Sequence, residues 1–207
     1  MVSIYDHILK LKGDRDVDAL TIEDSTKYPI FYNPLNISSL NPPDPVGYLK
    51  QLKMVQKIME ANHLDADKVD QYDKHLKQSI LDAVLVSGIP TTKWVYDILE
   101  DLEYIVLVEK YRHNKPRPYQ LASALGIELN HINKDRRRGP SYPSGHALEA
   151  TVIGMIVKHL NGSDKALQIA DDISLSRIQA GVHFPCDVIE GKRLAKRLSS
   201  EIISNYF

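Results

Sequence analysis

Only one cysteine occurs among the 207 residues, Cys186, so an intrachain disulfide and a zinc site of several thiolates are both excluded. Neither sign of charge is in excess: 26 Lys and Arg face 27 Asp and Glu, a formal net charge of −1. A dedicated nucleic-acid binder would usually show a strong basic surplus. Long apolar runs are missing as well. The longest, at 104–108, 83–86 and 150–157, fall short of the ~18 residues that cross a bilayer, so no integral membrane segment is expected. The opening residues, Met1 to Asp6, lack a basic region followed by an apolar core. No signal peptide is read there, and a cytoplasmic location is the expectation. Sustained alternation of apolar and polar residues, the mark of a half-buried strand, is nearly absent too.

What is present is helical. Hydrophobic residues make up 43% and charged residues 26%, as in a globular chain rather than a disordered one. At this length one domain is expected, burying roughly 70% of its unfolded surface. Residues 1–46 hold a short amphipathic stretch, Ile4 to Leu11, and then prolines 29, 34, 42, 43 and 45. They read as an extended arm packed on a helical domain over 47–207. Within that domain Tyr48, Leu49, Leu52, Val55, Ile58 and Met59 form one apolar stripe. A second runs from Ala66 to Val86, and a third, capped by Thr91 or Thr92, carries Trp94, Ile98, Leu102 and Ile105. Residues 112–142 read as loop. Three more helices are expected: Ser144 to Leu160, Ser163 to about Phe184, and one opening at Pro185. The fold expectation is all-α, a single-domain bundle of six or seven helices.

Three clusters carry chemistry. The first is Lys110 followed after six residues by Arg117-Pro118; alone it equally describes a solvated basic loop. The second, Ser141-Tyr142-Pro143-Ser144-Gly145-His146, falls where a helix starts. Helix N-termini present unpaired N–H groups and suit a phosphate-sized anion. Gly145 allows close backbone approach, and Ser144 adds a hydroxyl. The plainer alternative is a serine cap with His146 at the surface. The third is Ser176-Arg177, then His183, then Asp187. Pro185 breaks the helix beside His183, and Asp187 falls in the next first turn. A carboxylate there fixes one ring nitrogen and leaves the other free to attack. Together the clusters suit one task. Lys110, Arg117 and Arg177 supply charge-assisted donors to a five-coordinate phosphorus, Ser144 and the Gly145 amide complete the ring, and two imidazoles remain for attack and protonation. No metal is required.

This ordered series resembles the signature of the phosphatidic acid phosphatase type 2 and vanadium haloperoxidase superfamily, over Lys110 to Asp187. The resemblance implies a helical bundle with a pocket between helices near one end. It also implies His183 as the nucleophile that forms a phosphohistidine, Asp187 orienting it, and His146 as the general acid that later activates water. Ser141 to His146 and the Pro42-Pro43-Asp44-Pro45 stretch are similar to soluble bacterial class A non-specific acid phosphatases. The wording Gly181-Val182-His183-Phe184 is about as similar to the haloperoxidases.

The expected activity is therefore a metal-independent phosphomonoesterase on small soluble phosphate esters, needing no cofactor and inhibited by vanadate. The alternative is a haloperoxidase holding vanadate as cofactor in the same pocket. A binding module for nucleic acid finds support only in Lys134 to Arg138, and the two histidines with Asp187 speak against it. The resemblance leaves a homodimer open. His146 and Glu149 share a helix face but lack a third metal ligand. His63, His75, His131 and His159 read as surface residues, Cys186 as a small packed side chain, and Tyr142 as a neighbour of the leaving group.

Overall fold

The computed structural model describes residues 45–90, 93–113, 115–129 and 139–207, and α-helix is the only regular structure among them. Eight helices follow in order: α1 (Pro45–Ala61), α2 (Ala66–Lys74), α3 (Leu76–Val86), α4 (Lys93–His113), α5 (Pro118–Ala124), α6 (Gly145–Asn161), α7 (Lys165–Gln179) and α8 (Pro185–Tyr206). The all-α expectation holds, with more helices than the six or seven read from periodicity. The arm over 1–44, the Ile4–Leu11 stretch, Thr91, Thr92 and the basic run 134–138 lie outside the described residues.

Three boundaries differ from the sequence reading, each for a local reason. The apolar spacing Tyr72, Leu76, Ile80 runs on without interruption, yet His75 leaves helical geometry at φ −128°, ψ 41° and splits one expected helix into α2 and α3. Residues 118–124, read as loop because of their prolines, form α5. Pro118 is its first residue, where a missing N–H costs nothing, and Gln120 Oε1 accepts from Arg117 N at 2.8 Å. The helix expected to reach Phe184 ends at Gln179. Gly181 follows in the left-handed region at φ +70°, a turn that side-chain-bearing residues resist.

α6 is the central element. Its residues are apolar nearly all round, and Ala147, Leu148, Val152, Ile153, Ile156 and Val157 are almost wholly buried, as befits a helix surrounded by others. α7 and α8 pack along it, and α3 and α4 complete the main core with Val84, Ile98, Leu102 and Ile105. A smaller core joins α1 through Leu52 and Val55 to α5 through Leu121 and to Phe184 and Val188. α8 comes very close to the start of α6. A β-carbon on Gly191 would stand 2.6 Å from the carbonyl oxygen of Ser144, so only glycine fits. Among the described residues no helix is long and apolar enough to cross a membrane.

Candidate active site

The cluster around Lys110 and Arg117 is built where α4 gives way to α5. Lys110 sits in the last turn of α4 and donates from Nζ to the Pro140 carbonyl at 2.8 Å. Arg117, 4% exposed, donates from Nη2 to the same oxygen at 3.2 Å and from Nε to Gly139 O at 2.8 Å. Its Nη1 donates to Val182 O at 2.9 Å and lies 3.4 Å from Nε2 of His183. One backbone turn, 139–141, thus gathers both cations, and Arg117 bridges them to the third cluster. Arg117 meets Val182 and His183, 65 and 66 residues further along the chain.

His183 stands in the turn between α7 and α8, its own N–H bonded to Arg177 O at 3.2 Å. The ring is 3% exposed, with Nδ1 3.4 Å from Oδ2 of Asp187. That separation is longer than a well-formed hydrogen bond. Burial pushes the imidazole well below its ordinary value of 6.5; Asp187 opposes this, and the charges of Arg117 and Lys110 add to it. The surroundings therefore favour the neutral form of the ring. Asp187 is fully buried, which alone would raise its pKa. The Lys115 ammonium and the neighbouring imidazole outweigh that and hold the carboxyl well below the usual range. Its Oδ2 also accepts from Phe184 N at 2.9 Å, closing the first turn of α8.

Ser144 caps α6. Its Oγ accepts from Ala147 N at 3.4 Å, and its own N–H donates to the Asp187 carbonyl at 3.0 Å. The plainer reading of this serine, a helix cap, is what its contacts carry. His146, half-buried in the first turn of α6, faces the same cavity as His183. That cavity, about 670 Å³, is within the size of small-molecule sites. Lys110, Arg117, Gly145, His146 and His183 line it, together with Lys74, His75, Leu76, Val106 and Leu107. Among the described residues no group of His, Cys, Asp or Glu could hold a metal ion.

Arg177 does not reach the cavity wall. It is fully buried, and its Nη2 is ion-paired with Asp73 of α2, which does line the cavity. Tyr142, expected to contact the leaving group, likewise does not line the cavity. It is fully buried in the main core, ring edge against His113 at 5.1 Å between centroids. Two site residues escaped the sequence reading. Asp73 and its arginine are 104 positions apart, and no periodicity signals such a pair. Lys115, 2% exposed, is ion-paired with Asp187 Oδ1; read within a solvated loop, it offered no hint of burial. His75, taken for a surface residue, is exposed but lines the cavity mouth.

Decaprenylphosphoryl-5-phosphoribose phosphatase of Mycobacterium tuberculosis, matched alike in strains CDC 1551 / Oshkosh and ATCC 25618 / H37Rv, is 30% identical over 73 residues. The match covers 35% of this chain and 41% of that protein, so the chain spans under half of the relative's length. Among solved structures, the first bacterial vanadium-dependent iodoperoxidase aligns with 90% of this chain and 55% of its own, at TM-score 0.64 and 15% identity. That likeness is one of fold. The PAP2 superfamily model matches residues 95–195, about half of the chain, a stretch that contains every residue of the three clusters.

Proposed function

We propose that this chain is a metal-independent phosphomonoesterase that works through a phosphohistidine on His183. The observation that carries the reading is the state of that imidazole. It is buried, Nδ1 faces a buried carboxylate, Nε2 stands 3.4 Å from Arg117 at the cavity, and burial favours the neutral ring that an attacking lone pair requires. Nε2 attacks phosphorus, forming an N–P bond while the P–O bond to the alcohol breaks. His146 gives its proton to the departing oxygen. In the second half His146 takes a proton from water, the water oxygen bonds to phosphorus, and the N–P bond breaks. Lys110, Arg117 and the amide of Gly145 stabilise the equatorial oxygens, and Asp187 stabilises the charged phosphoimidazole.

Besides the apolar Leu76, Val106 and Leu107, the cavity is lined by Lys74, Lys77 and Gln78, and these polar groups favour an ester of a polar alcohol. A substrate panel tests this: p-nitrophenyl phosphate, a sugar phosphate, a nucleoside monophosphate and a prenylphosphoryl sugar phosphate, each with and without vanadate, on wild type beside His183→Ala. Vanadate-sensitive hydrolysis by wild type alone is expected, fastest on the polar esters. Peroxide-dependent halide oxidation with added vanadate, in place of hydrolysis, would instead establish the haloperoxidase reading.

A further inference from the structure

Lys115 is the least expected charge in the molecule. It lies between Lys110 and Arg117, yet its side chain is 1% exposed and its ammonium is ion-paired with Oδ1 of Asp187. Nζ also lies 3.1 Å from Cys186 Sγ, and it sits over two rings, 4.3 Å from the centroid of Phe184 and 5.4 Å from that of Tyr142. The aromatic faces and the carboxylate compensate its lost hydration. Asp187 therefore has two sides. Oδ1 meets a cation, while Oδ2 takes the Phe184 amide and faces Nδ1 of His183.

We infer that Lys115 is a positioning residue for the nucleophile: through Asp187 it holds the His183 ring with its proton on Nδ1 and its lone pair on Nε2. The inference rests on the proposed attack by His183. A carboxylate with no exposure resists ionisation unless a cation balances it, and His146 faces the cavity beside His183. Lys115 and Arg117 come from the α4–α5 connection, Lys110 from the end of α4, Tyr142 from before α6 and Cys186 from α8. Of these cations only Lys115 is ion-paired with Asp187; Arg117 and Lys110 act on His183 itself. Without the Lys115 charge, the Asp187–His183 pair takes up a proton. That proton resides on the Oδ2 side, because an O–H there meets the imidazole nitrogen Nδ1, a far better acceptor than the Cys186 sulfur 3.6 Å from Oδ1. A proton between Oδ2 and Nδ1 puts the other ring hydrogen on Nε2, where the attacking lone pair must be.

The test compares wild type with Lys115→Met, Lys115→Gln and Lys115→Arg on p-nitrophenyl phosphate from pH 4.5 to about 9, with folding checked by circular dichroism. Both neutral variants should lose about 100-fold in kcat in acid, with KM little changed. The loss should shrink by about tenfold per pH unit as the pair gives up its extra proton. Lys115→Arg, which keeps the charge, should retain the wild-type profile. A folded Lys115→Gln or Lys115→Met with the wild-type pH profile overturns the inference, as does a folded Lys115→Arg as damaged as the neutral variants. Should Met fail to fold, Gln and Arg decide the matter. Absence of hydrolysis by wild type would overturn the phosphatase reading itself, a result distinct from any of these.

Discussion

Replacing Asp187 by Asn separates what this carboxylate does for folding from what it does for catalysis. The change removes the counter-charge of Lys115, whose ammonium is buried beside it. Breaking a buried pair at one end costs about 3–5 kcal/mol, because the remaining charge keeps its desolvation penalty. For a chain of this size each kcal/mol moves the melting temperature by about 2–4 °C, so a drop of roughly 6–20 °C is expected. The catalytic loss has another origin. The charge-assisted contact to Nδ1 becomes a neutral one just as the ring acquires positive charge on phosphorylation. At about 1.5–3 kcal/mol this lowers kcat by roughly 10- to 150-fold, with little effect on KM. Adding Lys115→Met to Asp187→Asn removes the stranded ammonium. The double variant should therefore melt within a few degrees of wild type while its turnover stays low. Differential scanning calorimetry and steady-state kinetics on the three proteins read both effects. The reasoning is refuted if Asp187→Asn melts like wild type, or if the double variant regains wild-type kcat.

Gly191→Ala should cost about 1–3 kcal/mol, since its β-carbon would stand 2.6 Å from the Ser144 carbonyl and backbone must move. Because Ser144 caps the helix that carries His146, kcat should fall along with the melting temperature; unchanged values for both would contradict the close packing described. His183 has a folded pKa depressed below its unfolded value, so the unfolded chain binds a proton that the folded one does not. Its neutral burial is least costly above pH ~6.5, and below it stability falls by about 1.4 kcal/mol per pH unit from this group alone. Urea unfolding of His183→Asn should show a correspondingly shallower acid slope, and an identical slope would remove His183 as its cause. His146→Ala should slow alkyl phosphates by about 10²- to 10⁴-fold and p-nitrophenyl phosphate far less, because a good leaving group needs no acid. Equal losses on both would assign His146 another role.

Local signals in the chain announced much of this molecule. Pro185 marks the start of α8, Ser144 caps α6, and the apolar spacings identify the helices that form the core. Elsewhere the local cue was outweighed by geometry it could not report. His75 is an ordinary residue in an unbroken apolar pattern, and only its backbone angles turn α2 away from α3. Arg117-Pro118 looked like a loop because proline interrupts helices, yet proline at a first position begins one. Gly181 ends the approach to His183 because its φ of +70° suits glycine, although the apolar spacing around it continues. The partners that set the charge of the site, Asp73 for Arg177 and Lys115 for Asp187, are joined only by the packing of distant helices. Sequence periodicity reports which face of a helix is buried and is silent about which buried charge meets which.

Trapping the covalent intermediate tests the central claim most directly. Wild type quenched in alkali during turnover of a radiolabelled phosphate ester should carry phosphate on the imidazole of His183, located by peptide mass spectrometry, and His183→Ala should carry none. Label on a different residue, or undiminished turnover by His183→Ala, would contradict the account.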